Sequence, residues 1–324
     1  MPHLEHLDIR FSGQAFDQFE YRSEDLGISP SGSQVAVITT LGKILLFEID
    51  VGARPVHAEL LTALASEDLQ MPHGIDWVDD EYLVVANRRS GISFFRVPRH
   101  NRWERDTRIS VVSAVQSRWF GAPGECRMLR NRPVVTGAGS VRVFNEHLYV
   151  ASNKENTITR HRLTAGPSCA EGEVVAQEGI EIPDSAVVSP DGVWLAVGDH
   201  DHNRVLVFRL GQTKPVAQLT DKEMLHPHGV AFDPTGNVLI STDAGGCRLH
   251  VFHAPDGSWD KDQSAAISYV EGVAARVFER VQAETPEAVR ALEGGTKGID
   301  LSRDGNTVLT TCRGQTLRAF ALHV

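Results

Sequence analysis

No stretch of this sequence approaches the roughly 18 consecutive apolar residues of a membrane-spanning helix. Basic residues are in the minority, 32 Lys and Arg against 42 Asp and Glu, for a formal net charge of −10. That balance argues against nucleic acid or an anionic membrane surface as the main partner, because both need a basic footprint. Cysteine is scarce. Cys126, Cys169, Cys247 and Cys312 are scattered, form no CxxC, and have no histidine at nucleophile-motif spacing. They are expected to be free thiols in a reducing cytoplasm. The first 30 residues hold Glu5, Asp8, Asp17, Glu20, Glu24 and Asp25 and no apolar run, so no signal peptide is expected. Low-complexity segments are missing. So are GxSxG, P-loop and dinucleotide fingerprints in a strand–helix context.

What is present is one phrase in six variations. PHGIDWVDDEYLVVANRRSGISFFRV from Pro72, PDSAVVSPDGVWLAVGDHDHNRVLVFRL from Pro183 and PHGVAFDPTGNVLISTDAGGCRLHVF from Pro227 each read as strand, tight turn, strand, polar turn, strand. Further copies begin at Leu26, Gly139 and Lys297. Radial repetition of short antiparallel sheets limits exposed strand edges, so the sequence predicts an all-β, six-bladed β-propeller over residues 1–324. Aligning first strands on Gly27, Gly74, Ser140, Ser185, Gly229 and Gly298 gives steps of 47, 66, 45, 44 and 69 residues. A four-stranded blade takes about 40–50, so the two long steps carry insertions, at 118–138 and 279–296. Fourth strands are expected at Val56–Ala65, Arg108–Val115, Glu173–Glu178, Val216–Leu219 and Ile267–Phe278. The sixth copy runs out at Val324. His6–Phe11, with Leu7, Ile9 and Phe11 alternating inward, is expected to join Thr316–Leu322 and close the ring. In the second insertion a helix is expected, with Thr285 as N-cap, Pro286 in the first position and Gly294 at the stop.

The heads of the first strands meet at one face of a propeller. Reading that position around the ring gives Leu26, His73, Gly139, Asp184, His228 and Lys297. A single His or Asp at such a place commonly caps a loop. Four titratable groups at equivalent places can bind a metal or tune one another as acid and base. A second ring, at the ends of the second strands, holds Thr40, Asn87, Asn153, Asp199, Asp243 and Cys312. These hold polar turns, and Asn87, Asn153 and Asp199 can also reach a ligand from the rim. Asp199-His200-Asp201-His202 reads as a solvated turn, and His226 as packing behind the ring or supporting His228. Both insertions rise on the face of the ring. Arg118, Arg127, Arg130 and Arg132 of the first would suit an anionic substrate, with Arg127 at the rim, or else pair with surface acids.

At these residues the chain resembles the six-bladed propellers of the SMP-30/gluconolactonase, paraoxonase and NHL-repeat groups. LAVGDHDHNRVLVF (Leu195–Phe208) is similar to an NHL repeat core. MPHGIDW (Met71–Trp77) resembles the motif that places a metal-binding Asn in gluconolactonase-type enzymes, where this chain has His73. It also resembles a paraoxonase PHG motif whose His is implicated in lactone hydrolysis. IPDSAVV (Ile182–Val188) resembles the segment carrying a metal-binding Asp, matched by Asp184. The blade-one acidic ligand of those enzymes aligns with Leu26 here, and Lys297 stands where no cation is expected beside a metal. Seven-bladed lactonases carry motifs similar to His226–His228.

The resemblance implies hydrolysis or isomerisation of a small oxygenated metabolite, a lactone or ester, at the channel mouth. In one version His73, Asp184 and His228 hold one divalent metal ion, with Zn, Fe or Mn favoured over Ca by the nitrogen donors. In a metal-free version His73 or His228 is the base, Asp184 orients it and Lys297 stabilises the oxyanion, with a salt bridge from Lys297 to Asp184 or to a bound anion. The alternative is a non-catalytic propeller that presents this face to a protein or small ligand.

Overall fold

The computed structural model describes residues 1–13, 22–99, 103–116 and 135–324. Residues 118–134 of the first insertion, with Arg118, Cys126, Arg127, Arg130 and Arg132, lie outside the described residues. Six sheets, each built on four antiparallel strands, stand in a ring. Their inner strands are Ser23–Ile28, Pro72–Asp79, Ala138–Phe144, Pro183–Val188, Pro227–Phe232 and Thr296–Leu301, and each touches the next around the circle. The protein is a six-bladed β-propeller.

The sequence makes blades because its second strands are apolar on both faces. In Gln34–Thr39, Val35 and Val37 enter the wedge shared with blade six, while Ala36 and Ile38 enter the wedge shared with blade two. The same period-two division recurs, so six buried clusters fill the six wedges. Phe47, Phe94, Phe95, Phe208, Phe252 and Phe320 are fully buried there. Truncating one of them to Ala costs about 3–5 kcal/mol by the usual transfer and cavity effects.

The ring closes through the N-terminus, but the expected strand His6–Phe11 is two strands. His3–Leu7 pairs antiparallel with Gln315–His323 in blade six, with His3 opposite His323. After Asp8 the chain crosses the seam, and Ile9–Gly13 pairs parallel with Val56–Ala65 in blade one. The carbonyl of Asp8 accepts from the Val56 amide at 2.9 Å. Leu7, Ile9 and Phe11 pack on the wedge between blades six and one. Deleting residues 1–13 is therefore expected to expose edges on two blades at once. It should lower stability by several kcal/mol, on the order of 1.5–3 kcal/mol for buried Leu4 and roughly half that for each of the half-buried Leu7, Ile9 and Phe11. A urea midpoint unchanged by the deletion would refute this.

The outer strand of blade five is shorter than expected, Ser268–Glu271, and helix Ala275–Glu284 follows where the strand reading ran on to Phe278. Val277 and Val281, four apart, face a buried cluster with Val273 and Cys312, so helical period wins over alternation. Thr285 ends this helix instead of starting one. Its hydroxyl donates to the Val281 carbonyl at 2.6 Å, and Pro286 begins a short 3-10 turn, Glu287–Leu292. Among the described residues no helix is long and apolar enough to cross a membrane. Cys169, Cys247 and Cys312 are free thiols.

Below the heads of the inner strands, carboxylates tie neighbouring blades together. Asp25 accepts from the Ile75 amide at 3.2 Å, Asp76 from Val143 at 2.7 Å and Asp300 from Ile28 at 2.8 Å. Arg142 crosses the channel to grip Asp25 with both terminal nitrogens, at 3.0 and 2.9 Å, and donates to the carbonyls of Ile75 and Ile299. Burial pushes the carboxyls of Asp25, Asp76 and Asp300 above their usual range, Asp76 to about 7, while Arg142 opposes the shift in all three.

Candidate functional site

Every first strand breaks register near its second residue: after Ser23, Pro72, Ala138, Pro183, Pro227 and Thr296. A bulge frees one side chain from the ladder and re-aims it. The freed residues are Glu24, His73, Gly139, Asp184, His228 and Lys297. In blade one the ring position is thus Glu24 and not Leu26, which is fully buried in the wedge core. The glycines that follow allow the strand heads to converge. A Cβ on Gly229 would lie 2.4 Å from the Lys297 carbonyl oxygen, and one on Gly298 would lie 2.6 Å from Asp25 Cα.

The approach to three of these bulges is strained. Met71, Ile182 and His226 have φ of 53°, 53° and 61°, each immediately before a proline. Left-handed backbone is costly for such residues, and doubly unusual before proline. The second ring holds these turns in place. Asn87 Oδ1 accepts from the Gln70 amide at 2.9 Å, Asp199 Oδ1 from Glu181 at 2.6 Å and Asp243 Oδ2 from Leu225 at 2.9 Å. Asn87 also donates to Ser93, and Asp199 receives Arg204 and His202, so both side chains are engaged in supporting the loops.

Asn153 differs from its counterparts in the second ring. A Cβ on Gly139 would fall 1.8 Å from Asn153 Oδ1. Blade three therefore leaves its first-strand position bare and fills the space from the second strand's end. Asn153 Nδ2 donates to Asp184 Oδ1 at 2.6 Å.

The side chains of Glu24, His73, Asp184 and Lys297 are no more than 5% exposed, and His228 is buried with them. His73 Nδ1 donates to the Gly139 carbonyl at 2.6 Å. A carbonyl only accepts, so this fixes the tautomer and leaves the Nε2 lone pair facing inward. That Nε2 lies 3.4 Å from His228 Nε2 and 3.5 Å from Glu24 Oε2. Burial, aided by Arg88, pushes His73 down to about 4, and burial holds His228 well below the usual range. Both imidazoles are neutral at pH 7.

Lys297 does not pair with Asp184. Its Nζ lies 2.8 Å from Glu24 Oε2 and 3.3 Å from Glu293 Oε1. Glu293 comes from the second insertion and also pairs with Arg22, whose Nε lies 2.9 Å from Glu24 Oε1. Burial opposes the charge on Glu24, but Lys297, His73 and Arg22 outweigh it and hold the carboxyl well below its usual range. Asp184 is likewise held down against burial, by His228, Arg88, His73 and His200. Arg88 lies 3.3 Å from Asp184 and His200 Nε2 lies 3.8 Å from it. The turn at Asp199–His202 is thus not wholly solvated: His200 is 7% exposed and faces the site. His226 stacks on His200 at 4.5 Å between ring centroids.

Glu24, His73 and His228 offer donor atoms that all lie within 4.8 Å of one another, whereas Asp184 is outside this group. The third donor is therefore Glu24 from blade one, in place of the Asp184 expected from its ring position and from the resemblance of Ile182–Val188. Two vertices of a tetrahedral site with bonds of 2.1 Å are about 3.4 Å apart. The two measured separations, 3.4 and 3.5 Å, match that spacing. The neutral imidazoles, the carboxylate and the carbonyl behind His73 Nδ1 are the donor set and support of a transition-metal site. Glu293 Oε2, Asn153 Oδ1 and Arg88 Nε are buried without a hydrogen-bond partner among the described residues. Unsatisfied buried polar atoms are costly, and these three belong to side chains that bond to the ring, Glu293 to Lys297 and both Asn153 and Arg88 to Asp184. Comparison with protein-family models and with curated proteins gives no match to this chain, so the reading of the site rests on its own geometry.

Proposed function

We propose that this propeller is a small-molecule hydrolase of lactonase type, opening a lactone or ester at the ringed mouth of the channel. The observation that carries the proposal is the pair of neutral imidazoles facing a buried carboxylate, among polar atoms that the protein leaves unpaired. Glu24, His73 and His228 would hold one divalent ion, zinc, iron or manganese in preference to calcium. Such an ion polarises a carbonyl and lowers the pKa of bound water. Glu24 now stands at the blade-one position where the resemblance to gluconolactonase-type enzymes called for an acid.

The protein's other residues have roles of their own in this reading. The Gly139 carbonyl keeps the proton on His73 Nδ1 and presents Nε2 to the cavity. Asp184, held by Asn153 and Arg88, orients the substrate or its water. Lys297 stabilises the developing oxyanion. Arg22 and Arg88, 41% and 37% exposed at the mouth, favour a substrate that carries a carboxylate. Glu293 brings the second insertion down over the ring.

Metal content and hydrolysis of simple lactones, with and without chelator, test the proposal. The expected result is close to one equivalent of transition metal per chain and turnover that disappears with EDTA and returns with zinc or manganese. Protein that takes up no metal and hydrolyses no lactone or ester would overturn it in favour of a binding scaffold.

A further inference from the structure

The other mouth of the channel has its own chamber. It has a volume of about 500 Å³, within the usual range for small-molecule pockets. Arg142 spans from blade three to Asp25, Ile75 and Ile299, on blades one, two and six, and so stands between this chamber and the ring. The chamber is chemically lopsided. Asp76 and Asp300 line one side, and Val187, Ala231 and Phe232 line the other. Between the two acids blade one presents Gly27 at the same register position, which adds no side chain to separate them.

Two acids and two guanidiniums line the chamber, but Arg303 is exposed and forms no ion pair with Asp76 or Asp300 among the described residues. Among the described residues Arg142 is the one guanidinium that bonds within the Asp25, Asp76 and Asp300 group, and it is committed to Asp25. Among the described residues neither Asp76 nor Asp300 has an ion-pair partner within 4.0 Å. Each of their oxygens accepts one backbone amide. Asp76 takes Trp77 and Val143 at 2.8 and 2.7 Å, and Asp300 takes Leu301 and Ile28 at 2.8 Å each. A carboxylate oxygen has room for a second donor. A hard metal ion would need six or more oxygens, which the apolar wall cannot supply.

We propose that this chamber binds a small organic ammonium ion with a hydrocarbon body, the nitrogen between Asp76 and Asp300 and the body against Val187, Ala231 and Phe232. The ammonium donates to both carboxylates, and its hydrocarbon covers the apolar wall. The site is independent of the lactonase reading, which concerns the opposite mouth.

Isothermal titration with n-hexylammonium, with hexanoate as control, tests this. Hexylammonium is expected to bind at one site per chain and hexanoate not at all. Asp300→Asn and Asp76→Asn should each weaken hexylammonium by at least about tenfold, as expected for loss of a charge-assisted bond. His73→Ala should leave that affinity unchanged, which places the site away from the ring. Burial pushes the Asp76 carboxyl up to about 7, with Arg142 opposing the rise, Asp300 adding to it and Arg303 also lining the chamber, so wild-type affinity is expected to rise from pH 6 to pH 8. Thermal unfolding of each variant confirms that the ring is intact. No binding by the wild type at millimolar hexylammonium, or equal binding by wild type and folded variants, would overturn the proposal.

Discussion

Arg142→Met is expected to destabilise the protein by about 3–5 kcal/mol at pH 8, the usual loss when one partner of a buried ion pair is removed. Arg142 makes five hydrogen bonds, two of them to Asp25 and the others to the carbonyls of Ile75, Val141 and Ile299. Without it, buried Asp25 and the half-buried Asp76 and Asp300 are left around an empty space. The pH dependence carries the diagnosis. Burial already raises all three carboxyls, and Arg142 opposes that rise. A carboxyl whose folded pKa lies above its unfolded value contributes stability at low pH and loses it as pH rises through the folded pKa. Removing Arg142 enlarges that upward shift. The variant should therefore lie closest to wild type near pH 5 and fall furthest behind at pH 8. Urea midpoints across that range measure it. A deficit independent of pH would show that Arg142 acts by packing alone.

Lys297→Met is expected to cut lactone turnover by about 100-fold, the scale of losing one oxyanion donor. The same change should tighten zinc binding by at least about tenfold, because an ammonium 2.8 Å from Glu24 Oε2 opposes any cation bound by that carboxylate. Met keeps the stem packing but leaves Glu24 and Glu293 buried without this partner, a loss of roughly 3–5 kcal/mol, so thermal unfolding must show the variant folded before turnover and zinc affinity are compared. Lost turnover with unchanged zinc affinity would separate Lys297 from the metal donors. Unchanged turnover would remove Lys297 from the chemistry.

The blades were legible because each strand pair carries its turn with it: SPSG, SPDG, DPTG and SRDG mark the hairpins. Four ring positions were legible for the same reason, since His73, Asp184, His228 and Lys297 head recognisable strands. Glu24 was missed because Gly27 was matched to the other glycines. Counting back from the turns would have found it. Glu24 lies five residues before Ser29, as Asp184 does before Ser189, His228 before Asp233 and Lys297 before Ser302. Glu293 carries no such mark, because its segment belongs to no repeat and only tertiary folding brings it to Lys297. The burial of His200 was hidden by composition: Asp-His-Asp-His reads as polar surface, and only packing shows which of its residues turns inward. The break at Asp8 was hidden as well, because Leu7, Ile9 and Phe11 keep perfect alternation across it.

The crossing strand at the N-terminus also sets an order of events during synthesis. His3–Leu7 leaves the ribosome before any blade exists, yet its partner, Gln315–His323, is made after the strands of blades one to five. Ile9–Gly13 can dock on blade one as soon as Val56–Ala65 emerges, and so holds the neighbouring segment close to its final seat. Blades one to five can then form in sequence, from contacts mostly local to each blade. Only the sixth must wait for both His3–Leu7 and Gln315–His323. The slow, non-local step of folding is thus confined to one seam, and the strand that completes it is already tethered beside it.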